Sequence, residues 1–199
     1  HPVAHSFPTR RSSDLGDVDA EGPGDMALAL AEKARDTGSV VATLEQVPNQ
    51  PLEGGLREDD LIAYTFDKFL RGEGDDWPLL LPMVRSAVRA MDAVQDYAQA
   101  RWEQDVEEFV VTGGSKRGWT TWLTGAQDKR VKAIAPMVID MLNLGPQMEH
   151  QLYSYGSYSE AIQPYTRLQI QDRLTTPRGR ELAAKRSETL IDVRTEGSS

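Results

Sequence analysis

One stretch limits the fold more than any other: Thr112-Gly113-Gly114-Ser115-Lys116-Arg117-Gly118. Phe109-Val110-Val111 comes just before it and reads as a strand. Trp119-Thr120-Thr121-Trp122-Leu123 comes just after and reads as the start of a helix. A strand that turns into a helix within so few residues forces its backbone into strained φ/ψ and brings the two elements close together. Small residues around the turn are then a steric need. A serine hydroxyl is a weak nucleophile at neutral pH. A turn of this kind lifts it above a sheet, where a base can take its proton and a carbonyl can reach it.

That chemistry belongs to the strand–serine–helix turn of the α/β-hydrolases, whose pattern is G-x-S-x-G. Here Gly113 lies two before Ser115, but Arg117 stands where the second glycine should be, and the glycine is displaced to Gly118. Two other readings stand beside the nucleophile. Ser115 could simply cap the following helix. Gly-Gly-Ser-Lys ahead of a helix could also hold phosphate, although G-x-x-x-x-G-K-[ST] is not met. With Ser115 as nucleophile, the first oxyanion donor is the backbone N–H of Lys116.

The rest of the chain has the rhythm of a parallel α/β sheet. Met26 to Thr37 is rich in helix formers, with Asp25 as N-cap and Gly38 as stop. Ser39 to Leu44 reads as a short buried strand. Val47-Pro48-Asn49-Gln50-Pro51-Leu52 cannot be regular, because its prolines fix φ and remove donors. It reads either as a plain connection or as a loop at the sheet edge where ligands bind. Asp59 to Leu70 reads as a helix ended by Gly72 and Gly74. A long amphipathic helix is expected from Trp77 to Trp102, with Asp76 as cap and Pro78 in its first turn. Leu80, Val84, Ala87, Val88, Met91, Val94 and Ala98 form its core stripe. Glu107 to Thr112 reads as a strand, Trp119 to Gln127 as a helix, and Val131 to Ile139 as a strand interrupted by Pro136. The fold class is α/β: a partial α/β-hydrolase fold, a mostly parallel sheet flanked by helices and truncated at both ends.

Composition narrows the chemistry. The 199 residues are 39% hydrophobic and 27% charged, an ordinary globular mix. A net charge of −9 argues against a nucleic-acid binder. No apolar run approaches the ~18 residues of a membrane span. The absence of cysteine excludes disulfides and thiolate metal sites. No cofactor and no metal are expected, and no oligomeric state is implied.

Gly113-Gly114-Ser115-Lys116-Arg117-Gly118-Trp119 resembles the nucleophile region of the PhoPQ-activated pathogenicity-related proteins. So do Val47 to Leu52, Ile62-Ala63-Tyr64-Thr65-Phe66, Trp77-Pro78-Leu79-Leu80-Leu81-Pro82-Met83, Ile139-Asp140-Met141-Leu142-Asn143 and Tyr153, Gly156, Tyr158 and Ser159. The resemblance runs from about Thr37 to Glu181. It implies an exported (periplasmic or secreted) serine hydrolase with a Ser/Asp/His triad, acting on a small-molecule ester or a peptide. A non-catalytic hydrolase-fold protein used for binding or signalling is the alternative. Asn49, Gln50, Asp140, Asn143 and Tyr153 are candidates for the substrate wall. Asp140 also reads as a polar strand terminus. His150 reads as a loop residue rather than the triad histidine. Tyr153, Tyr155, Tyr158 and Gln163 form a polar-aromatic stretch that could line a site or be plain loop.

The ends read differently. His5 to Leu15 can be encoded by a common short-read sequencing adapter, so residues 1–15 are set apart as an artefact. Residues 16–184 form the partial hydrolase domain, and 185–199 are a doubtful tail. The second oxyanion donor and the triad acid and histidine are then expected outside this chain, and the open sheet edge is prone to aggregate. The 199-residue chain is therefore expected to be inert. Ser115-dependent turnover of p-nitrophenyl esters by the purified chain would overturn that expectation.

Overall fold

A computed structural model describes residues 25–140, 144–174 and 176. The described elements run α1 (Asp25–Thr37), α2 (Glu58–Leu70), α3 (Leu80–Trp102), β1 (Phe109–Gly114), α4 (Lys116–Gln127), β2 (Val131–Met137), α5 (Leu144–Tyr155), a 3-10 turn (Glu160–Ile162), α6 (Gln163–Thr166) and α7 (Ile170–Leu174). It is a mixed fold of seven helices and a two-stranded parallel sheet among the described residues. They divide into two compact units. One takes the described residues up to Arg57 together with Leu80–Ile139. The other takes Glu58–Leu79 and the described residues from Asp140 onward.

In the first unit, β1, α4 and β2 form a β-α-β crossover. The strands pair in parallel from Phe109 opposite Val131 to Gly114 opposite Met137. Alternation puts Phe109 and Val111 into a core with Met91, Ala98 and Val106, flanked by Val88, Val94 and Val131. The later part of the α3 stripe expected from the sequence, Val88, Met91, Val94 and Ala98, therefore packs with Phe109 and Val111 of β1. Arg130, at the mouth of β2, ties the same elements together. Its guanidinium donates to Asp128 Oδ2 at 2.7 Å, to Asp92 Oδ1 at 2.8 Å and to Gln95, and it stacks on Phe109 at 5.7 Å. Gln95 in turn donates to the Val106 carbonyl at 2.6 Å.

In the second unit, α2 buries Leu61, Ile62, Phe66, Phe69 and Leu70 and opens with Glu58, Asp59 and Asp60, which suit the positive end of the helix dipole. Asp59 and Asp60, with Asp67 further along α2, also hold the segment that includes α6 and α7. Tyr165 donates to Asp59 at 2.9 Å, Arg167 pairs with Asp60, and Arg173 pairs with Asp67. Burial first, then the neighbouring Asp59, pushes the Tyr165 phenol well above its usual value. Burial pushes Asp67 up, but hydrogen bonds from Arg173 and Arg71 more than offset it and leave the carboxyl below its usual value.

Several expectations change. Ser39 to Leu44 is no strand. Its β-branched residues favour extension, but a strand exists only as a ladder, and this segment pairs with neither β1 nor β2. The long helix starts at Leu80, not Trp77, so Pro82 rather than Pro78 sits in its first turn. Pro136 does not interrupt β2, because it stays in register opposite Gly113. The neighbouring Met137 carbonyl faces β1, so the proline nitrogen faces the other way, where no ladder bond is lost. His150 lies in α5, not in a loop. Gly38 and Gly72 do end their helices, at φ 65° and 80°. The amides after them, Ser39 and Glu73, bond back to Ala34 and Lys68 at 3.1 and 3.2 Å.

Asp67 predicts a pH dependence. Its folded value lies below the ordinary 3.8, so its contribution is complete above that value and is lost as pH falls through the folded one. Urea midpoints measured from pH 7 to pH 2.5 should fall in the wild type. In Asp67→Asn the midpoint should start lower and fall less over that range.

Candidate functional site

The turn around Ser115 is built as the sequence demands, with one difference in where the strain sits. Gly113 and Gly114 end β1 and Lys116 begins α4, leaving Ser115 as the single residue between strand and helix. Gly113 and Gly114 do not take positive φ. Ser115 itself does, at φ 52° and ψ −119°. A non-glycine residue held there is strained, and such strain persists only where the surroundings over-determine it. Here they do. The Ser115 amide donates to the Met137 carbonyl of β2 at 2.9 Å, and the Ser115 carbonyl accepts from the Trp119 amide at 3.0 Å, the first turn of α4.

Ser115 stands at the N-cap position of α4, yet its side chain makes no capping hydrogen bond. That removes the reading of the serine as an ordinary helix cap. The side chain is half-buried.

Gly118 explains the displaced glycine. A Cβ there would overlap Cγ2 of Ile139 and lie 3.0 Å from the carbonyl oxygens of Gly113 and Met137. Position 117 is less demanding, because it carries a buried arginine. The close approach of helix to strands falls one residue later than the G-x-S-x-G pattern has it. Gly125, two turns on, repeats the contact, since its Cβ would sit 2.6 Å from Cγ2 of Ile134.

Gly113, Gly114, Ser115, Lys116 and Gly118 are thus brought together in one turn. Asn49 and Gln50 lie in the same unit, in the irregular proline segment, with Asn49 exposed and Gln50 buried. Asp140 and Tyr153 belong to the second unit. Asp140 accepts from Gln147 at 2.6 Å, and Tyr153 is almost fully exposed on α5. Asn143 lies outside the described residues. His150, also on α5, lies 3.4 Å from the Ser154 hydroxyl. Among the described residues no group of His, Asp and Glu could hold a metal ion, and no helix is long and apolar enough to cross a membrane.

Sequence reasoning passed over three threonines behind the turn. Thr120, Thr121 and Thr124 are fully buried, and each hydroxyl donates to the carbonyl four residues back, at 3.1, 2.8 and 2.8 Å. Their signal was available: three β-branched residues within five positions of a helix that propensity alone disfavours. Arg117 and Thr120 also line a small recess with Leu44, Val47 and Met83.

The family of PhoPQ-activated pathogenicity-related proteins matches residues 13–187. Autocrine proliferation repressor protein A of Dictyostelium discoideum is 44% identical over 168 residues, covering 81% of this chain and 34% of that protein. The chain therefore spans about a third of the length of this curated relative. No solved structure matches.

Gly118→Ala should cost about 1–3 kcal/mol, the range for overpacking a filled site, because backbone carbonyls as well as Ile139 would have to move. Wild-type stability in urea denaturation would refute so tight an approach.

Proposed function

The chain belongs to the PhoPQ-activated pathogenicity-related protein family, and on that premise we propose that Ser115 is the nucleophile of a serine hydrolase of the α/β-hydrolase type. The observation that carries this reading is the backbone of Ser115 itself. The turn needs this backbone conformation, but a glycine would adopt it without strain, and the serine side chain that stands there instead makes no capping bond in return. Strain of this kind is what lifts a hydroxyl clear of the backbone for attack.

In the reaction the Ser115 Oγ adds to an ester or peptide carbonyl carbon while a histidine takes its proton. The tetrahedral oxyanion turns toward the Lys116 amide at the positive end of α4, the acyl-serine forms as the leaving group departs with the proton, and water then releases the acid. In this fold the acid and the histidine follow the serine in chain order. We place both in the full-length protein. Asn49 and Gln50, in the same unit as Ser115, remain proposed substrate-wall residues, and the substrate a small ester or a peptide.

A second reading has its own support. The relative's name describes a repressor of proliferation and no enzyme. On that reading the full-length protein keeps the hydrolase architecture for binding or signalling. A fluorophosphonate probe separates the two. The full-length protein should be labelled at Ser115, and Ser115→Ala should abolish labelling and lower ester turnover by on the order of 10⁴-fold or more. An unlabelled, folded full-length protein would leave the binding role.

A further inference from the structure

Val138 is the second strained position of this region. It lies at φ 51°, a conformation that β-branched residues almost never adopt, and the residue is 85% exposed. Neither fact helps the fold, because a valine in this place buries little surface and a glycine would sit there without strain.

Its neighbours explain the conformation. The Met137 carbonyl accepts the Ser115 amide at 2.9 Å, and Ile139 packs on the backbone of Gly118. Both anchors belong to the nucleophile turn, and Val138 is the one-residue kink between them. The ladder register ends with Gly114 opposite Met137, and Ser115 and Val138 are the residues that follow these two partners in the chain, with the carbonyl just before Val138 holding the Ser115 amide. The turn thus imposes the kink, but nothing in the kink requires a valine.

We propose that Val138 is a specificity-determining residue, whose isopropyl group forms an apolar wall beside Ser115 and favours acyl groups with an alkyl chain over acetyl. The inference rests on the reading of Ser115 as the nucleophile.

The test uses the full-length protein and compares kcat/KM for p-nitrophenyl hexanoate and acetate, with Ser115→Ala as the blank. In Val138→Gly the hexanoate-to-acetate ratio should fall on the order of 10-fold while Tm rises by roughly 2–5 °C as strain is relieved. Val138→Asn, a residue that tolerates this φ, should lower the ratio likewise, and Val138→Leu should keep it. An unchanged ratio in Val138→Gly and Val138→Asn, or a lower Tm in Val138→Gly, would overturn the role of Val138 and leave Ser115 standing. Turnover equal to the Ser115→Ala blank would remove both.

Discussion

The absence of a side chain at position 118 is the constraint on which the first unit depends. Because Gly118 has no Cβ, α4 can lie against the carbonyls of Gly113 and Met137 and against Ile139. That contact decides how far the helix stands from both strands. The distance in turn leaves a single residue to join β1 to α4, and a single residue can make that reversal only in a strained conformation. The geometry of Ser115 follows from a packing contact three residues away. Gly125 makes the same approach to Ile134, so the helix is seated at two points rather than one.

Arg130 does the corresponding work at the opposite end of the strands. It joins α3 to the start of β2 through Asp92 and Gln95, holds the turn through Asp128, and lies over Phe109. A half-buried cation of this kind is tolerable only with its hydrogen bonds made, and here each of its nitrogens has a carboxylate or amide partner. The strand ends are thereby fixed from two sides, by polar ties where the chain enters and by glycine packing where it leaves.

Much of this was legible in the sequence for a definite reason. Helices α1, α2 and α4 announce themselves by propensity, stop glycines and their place after a strand, all of them local signals. The stripe on α3 was read correctly from its period, but its start was not, because Pro78 and Pro82 are equally good first-turn residues and only packing chooses between them. Ser39 to Leu44 misled because composition reports a preference for extension and is silent on whether a partner is present. The strained residue could be narrowed to the turn from its glycines, but its identity as Ser115 rather than Gly114 depends on bonds to Met137 and Trp119 from outside the motif. Arg130 left no motif at all, since its role exists only through residues distant in sequence, whereas the buried threonines showed as β-branched residues crowded into a helix, a signal whose hydrogen bonds exist only once that helix forms.

Pro136 has a consequence for anything that docks on the far side of β2. Its ring nitrogen points away from β1 and offers no hydrogen there. An arriving strand therefore meets a row of donors with one tooth missing. Alignments that set an acceptor at the gap give up a bond worth about 1 kcal/mol, whereas others lose nothing. The proline thus acts as a key for alignment. It disfavours some offsets over others and makes that border, among the described residues, a poorer template for indiscriminate pairing between identical chains.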